Sequence, residues 1–142
     1  MSRTEFHRKR RVLVVEDQAE LRDLLVAHFN EAGFSTATSD NGDDAVKKAR
    51  TFLPDLILLD VLLPELDGFA VCEILRRHAT TACIPVIMVT GLSSQFSRCA
   101  GIESGATDFV TKPVNPSLLV SKAEQMLLGR NPSTAPRKAV EH

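Results

Sequence analysis

Four short strand-like runs in this chain end in residues that can do chemistry. Val12–Val15 end in Glu16 and Asp17, Leu56–Leu59 in Asp60, Ile84–Val89 in Thr90, and Asp108–Thr111 in Lys112-Pro113. Three carboxylates, a hydroxyl and an ammonium are the parts of a phosphoryl-transfer centre. A carboxylate becomes a nucleophile, forming an acyl phosphate, when a phosphoryl donor is held in line with it. Asp60 is the best placed to attack because it ends the central run, whereas Glu16 and Asp17 stand where they can hold a metal. Such transfers are catalysed mostly by positioning and charge stabilisation. Lys112, the Thr90 hydroxyl and the metal would supply these to the three phosphoryl oxygens.

The metal is implied by charge. Three carboxylates a few ångströms apart strongly disfavour joint ionisation, and a cation relieves that. A site of oxygen donors without histidine or thiol suits Mg²⁺ or Mn²⁺, and Mg²⁺ takes one or two carboxylates while keeping waters and phosphate oxygens. A divalent ion together with Lys112 makes the cluster formally neutral.

Taken singly, each residue has an ordinary explanation. Aspartates end strands and cap helices, Thr90 before Gly91 could close a strand, and Lys112 could be a solvated lysine before a turn. Jointly, those explanations require four strand ends to present the kit for one reaction by chance.

The elements between these residues give the frame. Phe34–Thr38 is a weaker β-branched run, so five strands are expected. Leu21, Leu24, Leu25, Phe29 and Ala32 fall at helical spacing, with Gly33 as the stop. Asp43–Phe52, Phe69–Arg77 and Asn115–Leu128 form further helices, the last with Leu118, Leu119, Ala123, Met126 and Leu127 inward. Ser94–Glu103 completes the set with a thin apolar face of Phe96, Cys99, Ala100 and Ile102. Strand and helix in alternation predict an α/β fold, a parallel sheet covered on both faces by right-handed crossovers. Five units suit the flavodoxin-like doubly wound order 2-1-3-4-5, whose ligands bind at the carboxyl ends of the strands where the order reverses. Asp55 opens the third strand, and Asp67-Gly68 turns the chain into the third helix.

At 142 residues, with 44% hydrophobic and 25% charged residues and a net charge of -1, the chain has the composition of one globular domain and no global field for nucleic acid. It divides into a basic N-terminal tail at 1–10, a domain at 11–129, and a polar, proline-bearing tail or linker start at 130–142. No apolar stretch reaches membrane-spanning length and no signal-peptide pattern opens the chain, so a cytoplasmic place and no membrane contact are expected. Cys72, Cys83 and Cys99 lack disulfide or zinc spacing and are expected to be small apolar filler.

The segments VLVVEDQAELRDLL, DLILLDVLLPELDG, IPVIMVTGLSS and GATDFVTKP together resemble the receiver domain of two-component response regulators, in order from about Val12 to Leu128. The resemblance implies that Asp60 accepts a phosphoryl group from a histidine kinase or a histidine phosphotransfer protein with Mg²⁺ present. It implies that Glu16 and Asp17 hold the metal with the Leu62 backbone carbonyl, and that Lys112 binds phosphate. Thr90 matches the switch hydroxyl and Phe109 the switch aromatic, although Phe109 could also be an ordinary core aromatic. Many receivers have a cis peptide before the proline matching Pro113. A downstream target or output domain would be engaged through the face of the fourth helix, fifth strand and fifth helix, by a monomer or a phosphorylation-dependent dimer. The protein would then be a phosphoacceptor rather than a classical enzyme. The runs DGFAVCEILR and GIESGATDFVTKPVN are similar to receivers attached to diguanylate cyclases, so an excised domain is an alternative to a stand-alone receiver.

Two departures stand out. Leu62 and Leu92, two residues beyond Asp60 and Thr90, replace side chains that are often polar in the family, and are expected to hinder the hydrolytic water and slow autodephosphorylation. Leu63 replaces the methionine common before the proline, a volume-conserving change. Other classes fit less well. A haloacid dehalogenase-like phosphatase wants a second aspartate where Ala19 stands, a pseudo-receiver would lack an acid, the lysine or the acceptor, and a flavin module would want a phosphate-cradling loop where EDQAELR is acidic.

Overall fold

A computed structural model describes residues 9–92 and 95–129, the side chain of Phe96 excepted. Most of the expected basic tail and all of the C-terminal tail lie outside the described residues. Five strands, β1 (Arg11–Val15), β2 (Ser35–Ser39), β3 (Leu56–Leu59), β4 (Val86–Thr90) and β5 (Asp108–Thr111), alternate with five helices: α1 (Ala19–Glu31), α2 (Gly42–Phe52), α3 (Gly68–Arg77), α4 (Gln95–Glu103) and α5 (Pro116–Leu127). The sheet is parallel throughout, in the expected order 2-1-3-4-5.

Strand periodicity sorts the core into two clusters. Leu13, Val15, Ile57, Leu59 and Met88 join Val71 and Leu75 of α3, with Ala45 and Ala49 of α2. The alternate residues Val12, Val14, Leu56, Leu58, Ile87 and Val89 meet Leu25 and Phe29 of α1 and Leu119, Ala123 and Leu127 of α5. Because both faces are covered, β1, β3 and β4 read as unbroken apolar runs rather than alternating ones.

Helix ends follow local chemistry. Asn41, Asp67 and Asn115 cap α2, α3 and α5, each side chain accepting from the N–H three residues on. Gly33 leaves α1 at φ +98°, where a glycine suffers no side-chain clash. Asp55, expected to open β3, is buried and takes a hydrogen bond from the Arg11 backbone N–H at 2.8 Å, tying the start of β3 to β1.

Some side chains lie differently from expectation. Leu24 falls at the helical spacing of the α1 stripe and Leu118 is expected on the inner face of α5, yet they are 45% and 67% exposed. At 100° per residue, Leu25 and Phe29 centre the buried stripe of α1, and Leu119, Val120, Ala123 and Leu127 that of α5, which turns Leu24 and Leu118 outward. Cys72 is buried as expected, but Cys83 and Cys99 are exposed. Cys83 falls in the connection from α3 to β4, and Cys99 and the 55% exposed Ile102 lie on the outer side of α4. Where α4 nears β5 it does so through Gly101, at which a Cβ would lie 2.9 Å from Phe109 Cδ2.

One charged side chain joins two connections far from the strand carboxyl ends. Arg76 of α3 donates from Nε and Nη2 to the Gly105 carbonyl at 2.9 and 2.7 Å. Its Nη1 donates to Ile84 O at 2.7 Å and to Ala82 O at 3.2 Å. The guanidinium thus satisfies carbonyls at the end of α4 and the approach to β4, which otherwise lack strand partners. Arg76→Ala leaves those carbonyls short of donors and is expected to cost about 2–3 kcal/mol. The exposed neighbour Arg77→Ala should stay within about 0.5 kcal/mol. Urea unfolding of both variants checks this, and equal midpoints would contradict it.

Candidate phosphoacceptor site

The sheet register brings the chemically competent residues together. Val15 pairs with Leu59, and the ladder runs one step further as Asp60 N–H donates to Val15 O at 3.1 Å. On the other side of β1, Glu16 N–H donates to Ser39 O at 2.9 Å, and Lys112 N–H donates to Thr90 O at 2.8 Å. Each residue that follows a strand is therefore held by its neighbour's backbone. Parallel strands all end on the same edge, so the end residues of four of them face one crevice.

Glu16, Asp17 and Asp60 each offer a carboxylate oxygen, with those oxygens all within 4.8 Å of one another. Glu16 and Asp60 are 2% and 3% exposed, and Asp17 stands in solvent. Lys112 Nζ reaches into the cluster, 2.9 Å from Asp60 Oδ2 and 3.1 Å from Glu16 Oε1. The other oxygen of Asp60, Oδ1, accepts the Leu62 N–H at 3.1 Å. Both oxygens of the central carboxylate are thereby oriented before any ligand arrives.

The electrostatics show unfinished charge compensation. Burial, followed by the charge of Asp60, pushes the Glu16 carboxyl above its ordinary value of 4.5, and bonds from the Gln18 N–H and Lys112 only partly oppose this. Burial works against the Lys112 ammonium, but its hydrogen bonds and charge pairing with Asp60 and Glu16 prevail and raise it above 10.5. Among the described residues, Lys112 is the cation in contact with this cluster of three carboxylates, through Glu16 and Asp60. The donor set is all oxygen and short of two positive charges, so it fits a hard divalent ion.

The remaining expected residues surround this group. Thr90 is fully buried, and its Oγ accepts the Leu92 N–H at 3.4 Å. Phe109 is 4% exposed and packs in the core cluster on the α3 side of the sheet, so its ring is in an inward position. Arg98 of α4 covers that ring, with Cζ 5.2 Å from the ring centroid. Leu62 is 58% exposed, while Leu92 is partly buried against the core. The Lys112-Pro113 bond is cis.

Two contributors escape a reading of the sequence alone. Gly68 opens α3 directly against the Asp60 carbonyl, and a Cβ there would lie 2.7 Å from Val61 Cα, so only glycine lets α3 start this close to the loop that follows β3. The Asp67-Gly68 pair signals a turn but not this approach. Gln18 sends its amide oxygen to 3.5 Å from Lys112 Nζ, a contact between positions 94 apart that local spacing cannot reveal.

Residues 12–124 match the response regulator receiver domain family. Over 118 residues the chain is 37% identical to the alkaline phosphatase synthesis transcriptional regulatory protein PhoP of Bacillus subtilis, an alignment covering 83% of this chain and 48% of that protein. It is 41% identical over 117 residues to the response regulator PleD of Caulobacter vibrioides, covering 82% and 26%. The solved structure of the Vibrio cholerae chemotaxis protein CheY4 superposes with a TM-score of 0.79 at 28% identity, covering 83% of this chain and 98% of that one. The chain thus spans about half the length of PhoP and about a quarter of PleD. With its sheet order, its carboxyl-end acidic cluster and these matches, the chain belongs to the response regulator receiver domains of two-component systems, whose family function is phosphorylation on an aspartate.

Proposed function

We propose that Asp60 is the phosphoacceptor of this chain, with Glu16 and Asp17 as the acidic pair beside it and Lys112 as the cation that meets the incoming phosphoryl group. The observation that carries this is the pre-oriented Asp60 carboxylate, held through Oδ1 by Leu62 N–H and through Oδ2 by Lys112. When bound, Mg²⁺ supplies neutralising charge to the acidic cluster and to the phosphoryl oxygens; Glu16, Asp17, Asp60 and the Leu62 backbone carbonyl would hold it. A carboxylate oxygen of Asp60 bonds to phosphorus as the donor's bond to phosphorus breaks, and the departing group keeps that electron pair. Lys112 then exchanges Asp60 Oδ2 for a phosphoryl oxygen, and the Thr90 hydroxyl donates to another. The donor is a histidine kinase or histidine phosphotransfer protein, and the chain acts as a phosphoacceptor rather than as an enzyme on other substrates.

The signal follows from a local charge of about -1.5 to -2 added at one point. Thr90 turning toward the phosphoryl group opens room beside Phe109, whose ring moves and alters the surface of α4, β5 and α5. The phosphoryl group biases this two-state equilibrium only by its differential contacts. A target or output domain reads that face, in a monomer or a phosphorylation-dependent dimer. No described helix is long and apolar enough to cross a membrane, which accords with action in the cytoplasm, and residues 11–129 form the receiver unit.

Two tests address this reading. Incubated with Mg²⁺ and acetyl phosphate, the wild type should gain the mass of one phosphoryl group and Asp60→Asn none. Leu92→Glu should shed the group severalfold faster, because a polar side chain replaces an apolar one at the rim. Equal gain by Asp60→Asn would refute the acceptor, and an unchanged half-life would refute the role of Leu92.

A third test uses pH. A carboxyl whose folded value is raised binds its proton more tightly in the native state, so its ionisation penalty is absent below the unfolded value near 4.5 and fully present above the raised one. Without metal, wild-type stability should fall relative to Glu16→Gln as pH rises through that window, and Mg²⁺ should offset the loss in the wild type alone. Parallel thermal-unfolding curves for the two proteins in both conditions would contradict the assignment.

A further inference from the structure

Gln18 breaks the rule of its position. It is the N-cap of α1, where Asn, Asp and Ser are preferred because a short side-chain oxygen reaches back to the first free N–H groups of the helix. Gln18 makes no such bond, whereas the caps of α2, α3 and α5 all do. The loop around it is not loose. Its own N–H donates to Glu16 Oε2 at 3.2 Å, and Arg22 Nη1 donates to Glu16 O at 3.0 Å.

Its carboxamide is turned to the acidic crevice instead. A lysine ammonium has three N–H donors and no acceptor. Lys112 Nζ donates to Asp60 Oδ2 at 2.9 Å and to Glu16 Oε2 at 3.3 Å, with Glu16 Oε1 3.1 Å away, and Gln18 Oε1, at 3.5 Å, is the third acceptor group around it. An amide oxygen suits this place because it accepts without adding charge. A carboxylate would hold the ammonium more firmly but would deepen the negative potential that an incoming phosphoryl group must enter.

We propose that Gln18 is a positioning residue for phosphoryl transfer at Asp60, its carboxamide steadying the Lys112 ammonium over the acidic cluster while α1 forgoes its side-chain N-cap. The proposal deepens, and rests on, the reading of Asp60 as acceptor. During transfer Lys112 leaves Asp60 Oδ2 for a phosphoryl oxygen, and a neutral third partner keeps the ammonium at the crevice throughout that exchange. Local stability is given up for a contact that serves the chemistry.

Gln18→Ser separates the two roles, since serine can cap α1 but is too short to reach Lys112. The variant should melt about 2–5 °C higher than wild type, yet accept phosphoryl from acetyl phosphate about threefold to tenfold more slowly at saturation, with half-saturating acetyl phosphate little changed. In metal-free protein, the ¹⁵N-ammonium NMR signal of Lys112 should broaden through faster proton exchange in Gln18→Ser and persist in Gln18→Glu, which keeps an acceptor. A role confined to the helix end would move the melting temperature and leave that signal alone. A Gln18→Ser protein with wild-type rate and wild-type Lys112 signal would overturn the proposal. A wild type that takes no phosphoryl group would instead refute the acceptor reading, and the Lys112 signal would still decide whether Gln18 holds the ammonium.

Discussion

Two carboxylates buried beside each other, with one lysine between them, set the constraint on which the rest of this structure depends. Glu16 and Asp60 are almost wholly removed from water, and Lys112 is the cation that meets both. Like charges in such surroundings disfavour one another, and burial together with Asp60 raises the Glu16 carboxyl. The fold stabilises this arrangement through two apolar layers and a sheet whose last hydrogen bonds reach past the strands to Glu16, Asp60 and Lys112. What remains is a deficit of positive charge at the strand ends. A divalent ion suits that deficit because it supplies charge, and together with Lys112 it would give the oxygens of an incoming phosphoryl group two cations to meet.

The fold was legible in the sequence because this sheet is buried on both faces. Unbroken apolar runs, each ending in polar residues, mark β1, β3 and β4, and right-handed crossovers leave few topologies. The grouping of Glu16, Asp17, Asp60 and Lys112 was legible for the same reason, since a residue that ends a strand has its position fixed by the strand. Resemblance to a known family added the expected switch roles of Thr90 and Phe109 and the expected metal contact of the Leu62 carbonyl, which spacing does not convey.

What spacing missed is tertiary. Leu24 and Leu118 have the right residue type for a core stripe, but each helix touches the sheet along a narrower arc than its leucines cover. Cys83 and Cys99 are exposed because a connection and an outer helix surface hold them, and a residue's usual burial carries no information about place. Gly68 and Gln18 matter through contacts across the crevice or against a backbone atom. Gln18 left one trace in the sequence: an amide with a long side chain at a helix start where shorter caps serve better.

The inward Phe109 ring shows how a charge change here could be felt elsewhere. Gly101 gives the ring room from α4, and Arg98 lies across its face, so the aromatic touches the helix at two points. A close-packed interior responds to such a displacement by changing between arrangements rather than by yielding gradually. That property would let a phosphoryl group on the carboxyl edge alter a surface one layer away.

The most direct test of the account is the location of the covalent bond. Protein incubated with acetyl phosphate and Mg²⁺ and then reduced with borohydride converts a phosphorylated aspartate to homoserine, which peptide mass mapping places in the chain. The account predicts homoserine at position 60 alone. Homoserine at position 17, or aspartates unreduced throughout after a verified gain of phosphoryl mass, would contradict it.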